Sequence, residues 1–355
     1  MALELRNIEK RVGAESHIYE TNLSFVDNGF NVLLGTTLSG KTTLMQLIAG
    51  TDKPTSGEVW FRGTNLTQVP VQKRNVSLVF QQFINYPNLS VYENIASPLR
   101  VAKISRDEVD ERVQRTADLL KLTPMLGRRP DELSGGQQQR TAIARALVKD
   151  ADIVLLDEPL ANLDYKLREE LRDELPKLFA DRDCTVVYAT TEPTEALLLG
   201  GHTALLNQGR VVQFGPTSDI YRHPRSLLAA QVFSDPPINT ASVQKQGDQI
   251  VLSESVSWRA PDRQAALADG PYTIGIRPHH VLPRDPGGDS VAVEGEVLVT
   301  ELSGSESTIH FDLAGSVWVS LARGVDTFKV GERATLYADV AHALLFEPDG
   351  ALVAD

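Results

Sequence analysis

The sequence predicts an α/β domain built on a mainly parallel sheet, with an inserted helical part, followed by a smaller all-β, barrel-like domain. Over the first two-thirds of the chain, short apolar runs alternate with helical stretches, the pattern of parallel strands covered by helices. The unbroken apolar run Phe30-Asn-Val-Leu-Leu34 leads into a glycine-rich turn and then a helix. Past Ser234-Asp-Pro-Pro-Ile238 the pattern gives way to short alternating runs separated by Gly and Asp turns.

In chain order, residues 30–34 read as a buried strand and residues 43–49 as a helix stopped by Gly50. Residues 90–129 are helical and polar-faced, marking an inserted helical subdomain over residues 88–135. Residues 152–156 and 184–189 are two further central strands. The helix between them, residues 164–179, spaces its charges around Leu167, Leu171, Leu175 and Leu178. Pro236 and Pro237 block helix continuation, so the first domain is expected over residues 1–234 and the second over residues 235–355. Residues 291–299 and 316–320 then read as strands of the second domain.

A chain of 355 residues is long for one compact core, which agrees with two domains. Hydrophobic residues at 42% and charged residues at 23% give the balance of a soluble globular protein. A net charge of −12 argues against an extended nucleic-acid surface, which needs clustered Lys and Arg. No apolar run approaches the roughly 20 residues that cross a bilayer, and the N-terminus lacks the pattern of a secretion signal. Cys184 is the single cysteine and reads as a buried structural thiol. A cytosolic protein that meets the membrane through partners is the expectation.

Gly35-Thr36-Thr37-Leu38-Ser39-Gly40-Lys41-Thr42 fits the phosphate-loop pattern, with a strand before it and a helix after. Backbone N–H groups can turn inward on a β-phosphate there, aided by the helix N-terminus. Lys41 is expected to pair with the β- and γ-phosphates of ATP, Thr42 to offer a hydroxyl to Mg²⁺, and Thr43 to add a phosphate contact. This motif alone fits kinases, GTPases and many ATPases. Ile153-Val-Leu-Leu-Asp-Glu-Pro159 ends an apolar strand in Asp157, which can hold magnesium, and in Glu158, which can orient or deprotonate a water. Leu133-Ser-Gly-Gly-Gln137 puts two glycines behind a serine at a helix start, a second anion-binding surface.

Those three motifs together make the chain resemble the nucleotide-binding subunits of ABC transporters. The resemblance implies an ABC ATPase domain with an inserted helical subdomain and an OB-like (TOBE-type) regulatory β-domain. It implies that Ser134, Gly135, Gly136 and Gln137 face the phosphate loop of a second ATPase subunit. Val79-Phe-Gln81 matches the family's Gln loop, whose glutamine contacts magnesium and water, and Leu163-Asp164 matches the loop that crosses the dimer interface. The stretches Phe83-Ile-Asn-Tyr-Pro-Asn-Leu-Ser-Val-Tyr-Glu-Asn94 and Leu160-Ala-Asn-Leu-Asp-Tyr-Lys-Leu-Arg168 are similar to the importer branch serving sugars, polyols and glycerol phosphate. Gly275-Ile-Arg-Pro-His279 and residues 299–306 resemble that branch's regulatory domain. The implied partners are two membrane-spanning permeases, a second ATPase and a substrate-binding protein, at the cytoplasmic face of a bacterial inner membrane.

The sequence departs from the family's pattern twice. Thr190-Thr-Glu-Pro193 puts Thr191 where a histidine normally reaches the γ-phosphate; a hydroxyl is shorter and cannot become cationic. The family's adenine-stacking aromatic corresponds to Val12, before Gly13; Tyr19 could serve if the loop is displaced, but core or sheet packing is its expected role. Both departures fall on the site built on this chain's own phosphate loop, and the Ser134–Gln137 surface is intact. A pairing with an unlike, intact ATPase is therefore expected, with a slow homodimer or a non-hydrolysing regulatory subunit as alternatives. A soluble ATPase acting on DNA or ribosomes usually carries coiled coils or two ATPase domains in one chain. The cargo, whether glycerol, a glycerol phosphate or an oligosaccharide, is not encoded here. His279 and His280, read as neighbours in a strand, point to opposite faces and are not expected to share a metal ion. Trp60, Trp258 and Trp318 read as core residues.

Overall fold

The computed structural model describes residues 3–82, 84–161, 163–180 and 182–354. Phe83 and Asn162, in the two stretches likened to the importer branch, lie outside the described residues. Two compact units divide the chain, Met1–Ser218 and Asp219–Asp355. The division falls earlier than the expected change at Ser234, for a packing reason. The short helix Leu227–Val232 and the segment after Asp219 belong to the second unit's structure. Tyr221 and Phe233 meet edge to face at 5.6 Å, and the buried Arg277 guanidinium lies 3.8 Å over Tyr221.

The first unit holds two sheets. Strands β1 (Leu3–Val12), β2 (Glu15–Ser24), β4 (Ser56–Phe61) and β5 (Thr64–Asn65) form an antiparallel sheet in the order β2-β1-β4-β5. The central sheet runs β10-β9-β3-β8-β7-β6, from Arg210–Pro216 (β10), His202–Asn207 (β9), Phe30–Leu34 (β3), Thr185–Thr190 (β8) and Ile153–Asp157 (β7) to Val76–Val79 (β6). All but the edge strand β10 are parallel. The expected parallel α/β sheet is present, and β3, β7 and β8 are its predicted central strands. Helix α1 (Lys41–Ala49) buries Leu44, Met45, Leu47 and Ile48 in a core shared with Leu33, Leu155 and Val187. Its C-terminal carbonyls are not left bare: buried Arg74 donates to Leu47 O at 3.2 Å and Ile48 O at 2.7 Å, and a cation suits that end of the dipole.

The helical part contains α2 (Val91–Val101), α3 (Arg106–Leu119) and α4 (Gly135–Leu147). Ser90 begins α2 with a reciprocal capping box to Glu93, worth about 1 kcal/mol. Asn94, fully buried, folds the loop before α2 by donating to Tyr86 O, Leu89 O and Ser90 O. Helix α5 (Tyr165–Ala180) turns Leu167, Leu171, Leu175 and Phe179 inward; Asp164 caps it, its Oδ1 accepting from Leu167 N at 3.0 Å. Helix α6 (Pro193–Leu199) follows β8. Cys184 is buried just before β8, and burial raises its thiol pKa.

The second unit is β-rich rather than all-β: short helices such as Leu227–Val232 accompany two antiparallel sheets. One orders Val256–Arg259, Gln249–Ser253, Asn239–Gln246, Gly270–Ile276, Leu344–Phe346 and Leu352–Ala354. The other orders Val281–Leu282, Arg333–Asp339, Ser290–Leu302, Glu306–Leu313 and Ser316–Arg323. Ile250, Ile274, Phe311, Trp318 and Leu336 share one core between them. Trp258 and Trp318 are core residues; Trp60 is only half-buried, with Arg6 stacked 4.3 Å over its ring. His279 and His280 do not lie in a strand. They belong to a 3-10 turn, Pro278–His280, and their ring centroids are 4.3 Å apart, which removes the opposite-face argument. Burial, then the nearby His279 and His342 rings, lower the His280 pKa to about 4.

Candidate nucleotide-binding site

The loop at residues 35–42 is shaped by two glycines that have no substitute. A Cβ on Gly35 would meet Leu206 O at 2.3 Å and Ser39 Oγ at 2.5 Å. Gly40 begins α1 at φ 105° with Ile18 Cδ1 only 2.7 Å from a virtual Cβ, so a side chain there meets both strain and a wall. Leu38 adopts φ 66° as well. It is 94% exposed, and an L-residue in that region costs about 1–2 kcal/mol. The loop pattern gave no sign of that strain, because any residue satisfies the pattern at position 38.

Lys41 is buried, its Nζ donating to Gly35 O at 2.8 Å and Thr36 O at 3.1 Å. Burial lowers its pKa, opposed by Glu158 and then Asp157. Glu158 Oε1 lies 3.7 Å from that ammonium, and Glu158 Oε2 accepts from Gln81 Nε2 at 2.9 Å. Glu158 itself sits at φ 44°, a strained conformation of the kind found at functional sites. The Asp157 carboxyl pKa is raised by burial, and a hydrogen bond from Thr42 works the other way. Asp157 Oδ1 and Ser39 Oγ are buried without a hydrogen-bond partner. Buried polar atoms left unsatisfied cost about 1–3 kcal/mol each, so this site is built to take polar ligands.

These groups border a cleft of about 580 Å³. Thr37, Leu38, Ser39, Gly40, Lys41, Thr42 and Thr43 form one wall, with Gln81 and Glu158 beside it. The opposite side brings in Glu15, Ser16, His17 and Tyr19 from β2, with Gln208 and Gly209. Val12 is not part of this lining. It is 52% exposed at the end of β1, opposite Glu15. Tyr19 is the aromatic residue the cleft contains, and the backbone explains why: Tyr19 N donates to Gly209 O at 2.9 Å while Gly209 N donates to Ser39 O at 2.9 Å. The Arg210 guanidinium lies 3.7 Å from the centroid of the Tyr19 ring.

Besides Val12, the predicted residues Gly35, Thr36, Asp157, Ser134, Gly135, Gly136, Gln137, Asp164 and Thr191 stand outside the cleft lining. Ser134 caps α4, with Gln137 N donating to its hydroxyl at 3.4 Å and Ser134 N donating to Gln137 Oε1 at 3.0 Å; Gly135 faces open space. Asp164 begins α5. Thr191 follows Thr190, whose carbonyl accepts from Gly35 N at 3.4 Å, so position 191 adjoins the loop through the backbone. A network that sequence reading missed holds this segment. The Thr190 hydroxyl donates to buried Glu195 and accepts from Glu192 N at 3.0 Å, while Arg168 pairs with Glu192. The Glu195 pKa is raised by burial. His202 opens β9, its ring 6.0 Å from Phe214, as a strand-flanking residue.

Residues 19–161 match the ABC transporter family, and residues 274–346 match the TOBE domain. The chain is 34% identical over 354 residues to the maltose/maltodextrin import ATP-binding protein MalK of Yersinia pestis bv. Antiqua, covering 98% of this chain and 95% of that one. The chain belongs to the ABC transporter ATP-binding proteins. This ATPase is also 32% identical over 354 residues to the uncharacterized ABC transporter ATP-binding protein YcjV of Escherichia coli (strain UTI89 / UPEC), over 98% of each chain. Among solved structures, a dimeric post-hydrolysis state of the ATP-binding cassette MJ0796 bound to ADP and Pi is 31% identical, with a TM-score of 0.56 over 61% of this chain and 98% of that one. As an ABC transporter ATPase, the chain binds ATP. No helix of the described residues is long and apolar enough to cross a membrane.

Proposed function

We propose that this ATPase energises a bacterial importer of a carbohydrate or polyol, and that it pairs with a second, unlike ATPase. The observation that carries the pairing is Thr191, adjoining an otherwise complete phosphate loop. The importer assignment rests on near full-length similarity to a maltose/maltodextrin import ATPase. Two membrane-spanning permeases and a substrate-binding protein complete the assembly, and the subunit works at the cytoplasmic face of the inner membrane. Glycerol, a glycerol phosphate and an oligosaccharide are the candidate cargoes.

In this reading Lys41 and the backbone N–H groups of residues 36–43 grip the phosphates of ATP. Thr42, Asp157 and Gln81 would hold Mg²⁺, for which the free Asp157 Oδ1 and the hydroxyl-carboxylate donor set are suited. Bound Mg²⁺ neutralises charge between the β- and γ-phosphates. Glu158, released from Gln81, orients the attacking water, and without a histidine at position 191 the γ-phosphate has one donor fewer. Ser134, Gly135, Gly136 and Gln137 present their N–H groups to the ATP bound by the partner, and Asp164 lies at the dimer contact. Purifying the active transporter and identifying its ATPases tests the pairing: two species at equal ratio are expected, and a single ATPase species sinks it.

Tyr19, rather than Val12, stacks on adenine. Aromatic-base stacking is worth about 1–3 kcal/mol, so Tyr19→Ala is expected to weaken ATP binding by about tenfold or more. Fluorescence titration with a nucleotide analogue reads the effect, and Val12→Ala serves as the comparison with a change below about twofold. Equal losses in both variants would return the role to the end of β1.

A further inference from the structure

Within the second unit, two short turns far apart in sequence bring imidazoles together. The buried Arg277 guanidinium fixes the first turn by donating to Phe233 O at 3.3 Å and to Tyr221 O at 2.5 Å, which engages its charge on those carbonyls. His280 then closes the turn, its N donating to Arg277 O at 2.9 Å. The strand that follows pairs Val281 with Ala338, and that register sets His280 beside Asp339. Asp339 caps the second turn, Val340–His342, its Oδ1 accepting from Ala341 N at 3.1 Å. Its Oδ2 lies 2.8 Å from His342 Nδ1 and 4.0 Å from His280 Nδ1. The His280 and His342 rings lie parallel, 4.4 Å between centroids.

We propose that His280, Asp339 and His342 form a binding site for a divalent transition-metal ion of the zinc class, with His279 at its edge. One ligand atom from each of the three residues lies within 4.8 Å of the others. Tetrahedral zinc with bonds near 2.0–2.1 Å sets its ligand atoms about 3.4 Å apart, and the in-plane lone pairs of two parallel rings do not converge, so closing the site takes a small contraction and a rotation of one ring. His342 is exposed and its ring can turn to supply it. Two imidazoles and one carboxylate suit zinc, nickel or copper and leave a fourth position open. Mg²⁺ demands six oxygen-rich ligands and is not expected here. A bound ion would tie the turn after Ile276 to the turn after Asp339.

The test uses the full chain without an affinity tag, titrated calorimetrically with Zn²⁺ alone and, separately, with Mg²⁺ alone. One equivalent of zinc per chain is expected at micromolar affinity or tighter, with no magnesium binding that depends on His280 or His342. His342→Ala, at an exposed position, and His280→Asn should each weaken zinc binding at least tenfold. Asp157→Asn, which alters the carboxylate proposed for Mg²⁺ beside the phosphate loop, should leave zinc binding unchanged. Equal zinc binding by the wild type and the His280→Asn/His342→Ala double variant overturns the proposal. So does zinc binding that disappears with Asp157 and persists without His342.

Discussion

Replacing Lys41 with Met is expected to weaken ATP binding to the isolated chain by about a hundredfold or more. The side chain makes charge-assisted contacts that a thioether cannot, and each hydrogen bond to a charged group is worth about 1.5–3 kcal/mol. Two such bonds to the β- and γ-phosphates account for the expected loss. In the structure the same ammonium is already held in place by Gly35 O and Thr36 O, and it faces Glu158 and Asp157. ATP therefore meets an ammonium already positioned at the loop, and it supplies the negative charge that the carboxylates only partly provide. Met preserves the stem that packs at the start of α1, so the variant keeps its fold while the two carbonyls lose their donor. A modest drop in melting temperature without nucleotide, together with loss of the ATP-induced rise, is the pattern to look for. A nucleotide affinity within threefold of the wild type would show that the loop binds through its backbone alone.

The parts of this site that were legible in sequence are those made by local chemistry. The glycines of the phosphate loop, the acids at the end of β7 and the Ser134-Gly-Gly run that begins α4 each lie within a few residues, so residue type and spacing are enough to locate them. What was not legible depends on pairing between distant segments. Tyr19 enters the cleft because Gly209 bridges it to Ser39, and no spacing within β1 and β2 reveals that bridge. The glycine that points to Val12 in the sequence serves as a hairpin turn at φ 61° in the structure. In the sequence, His279 and His280 are read with a strand periodicity that the 3-10 turn Pro278–His280 does not obey, and Asp339 and His342 carry no sign of joining them. Those two arrive only through the register of Val281–Leu282 on Arg333–Asp339. The prolines are the loudest local signal of a boundary, whereas contacts of Tyr221 and Phe233 draw the segment before them into the second unit.

Restoring histidine at position 191 is expected to raise phosphate release from this chain's own site by about a hundred- to a thousandfold, the usual worth of one preorganised donor at a developing charge. The segment is already prepared to carry it. Thr190 fixes the backbone by accepting Glu192 N at 3.0 Å and by bonding to Glu195, whose carboxyl is buried beneath it. Its carbonyl reaches Gly35 N at 3.4 Å, so the next side chain starts beside the loop and needs only length and a ring N–H to reach a γ-phosphate. Glu158 remains positioned between Lys41 and Gln81 to handle the water. Hydrolysis is measured in a complex whose partner ATPase carries the change matching Lys41→Met, so that only this chain's phosphate loop turns over. The gain should vanish when Thr191→His is combined with Glu158→Gln, because the added donor acts on the same reacting phosphate. If Thr191→His alters the rate by less than about threefold, the missing histidine is not what limits this site. The strained Glu158 backbone at φ 44° then becomes the feature to alter next.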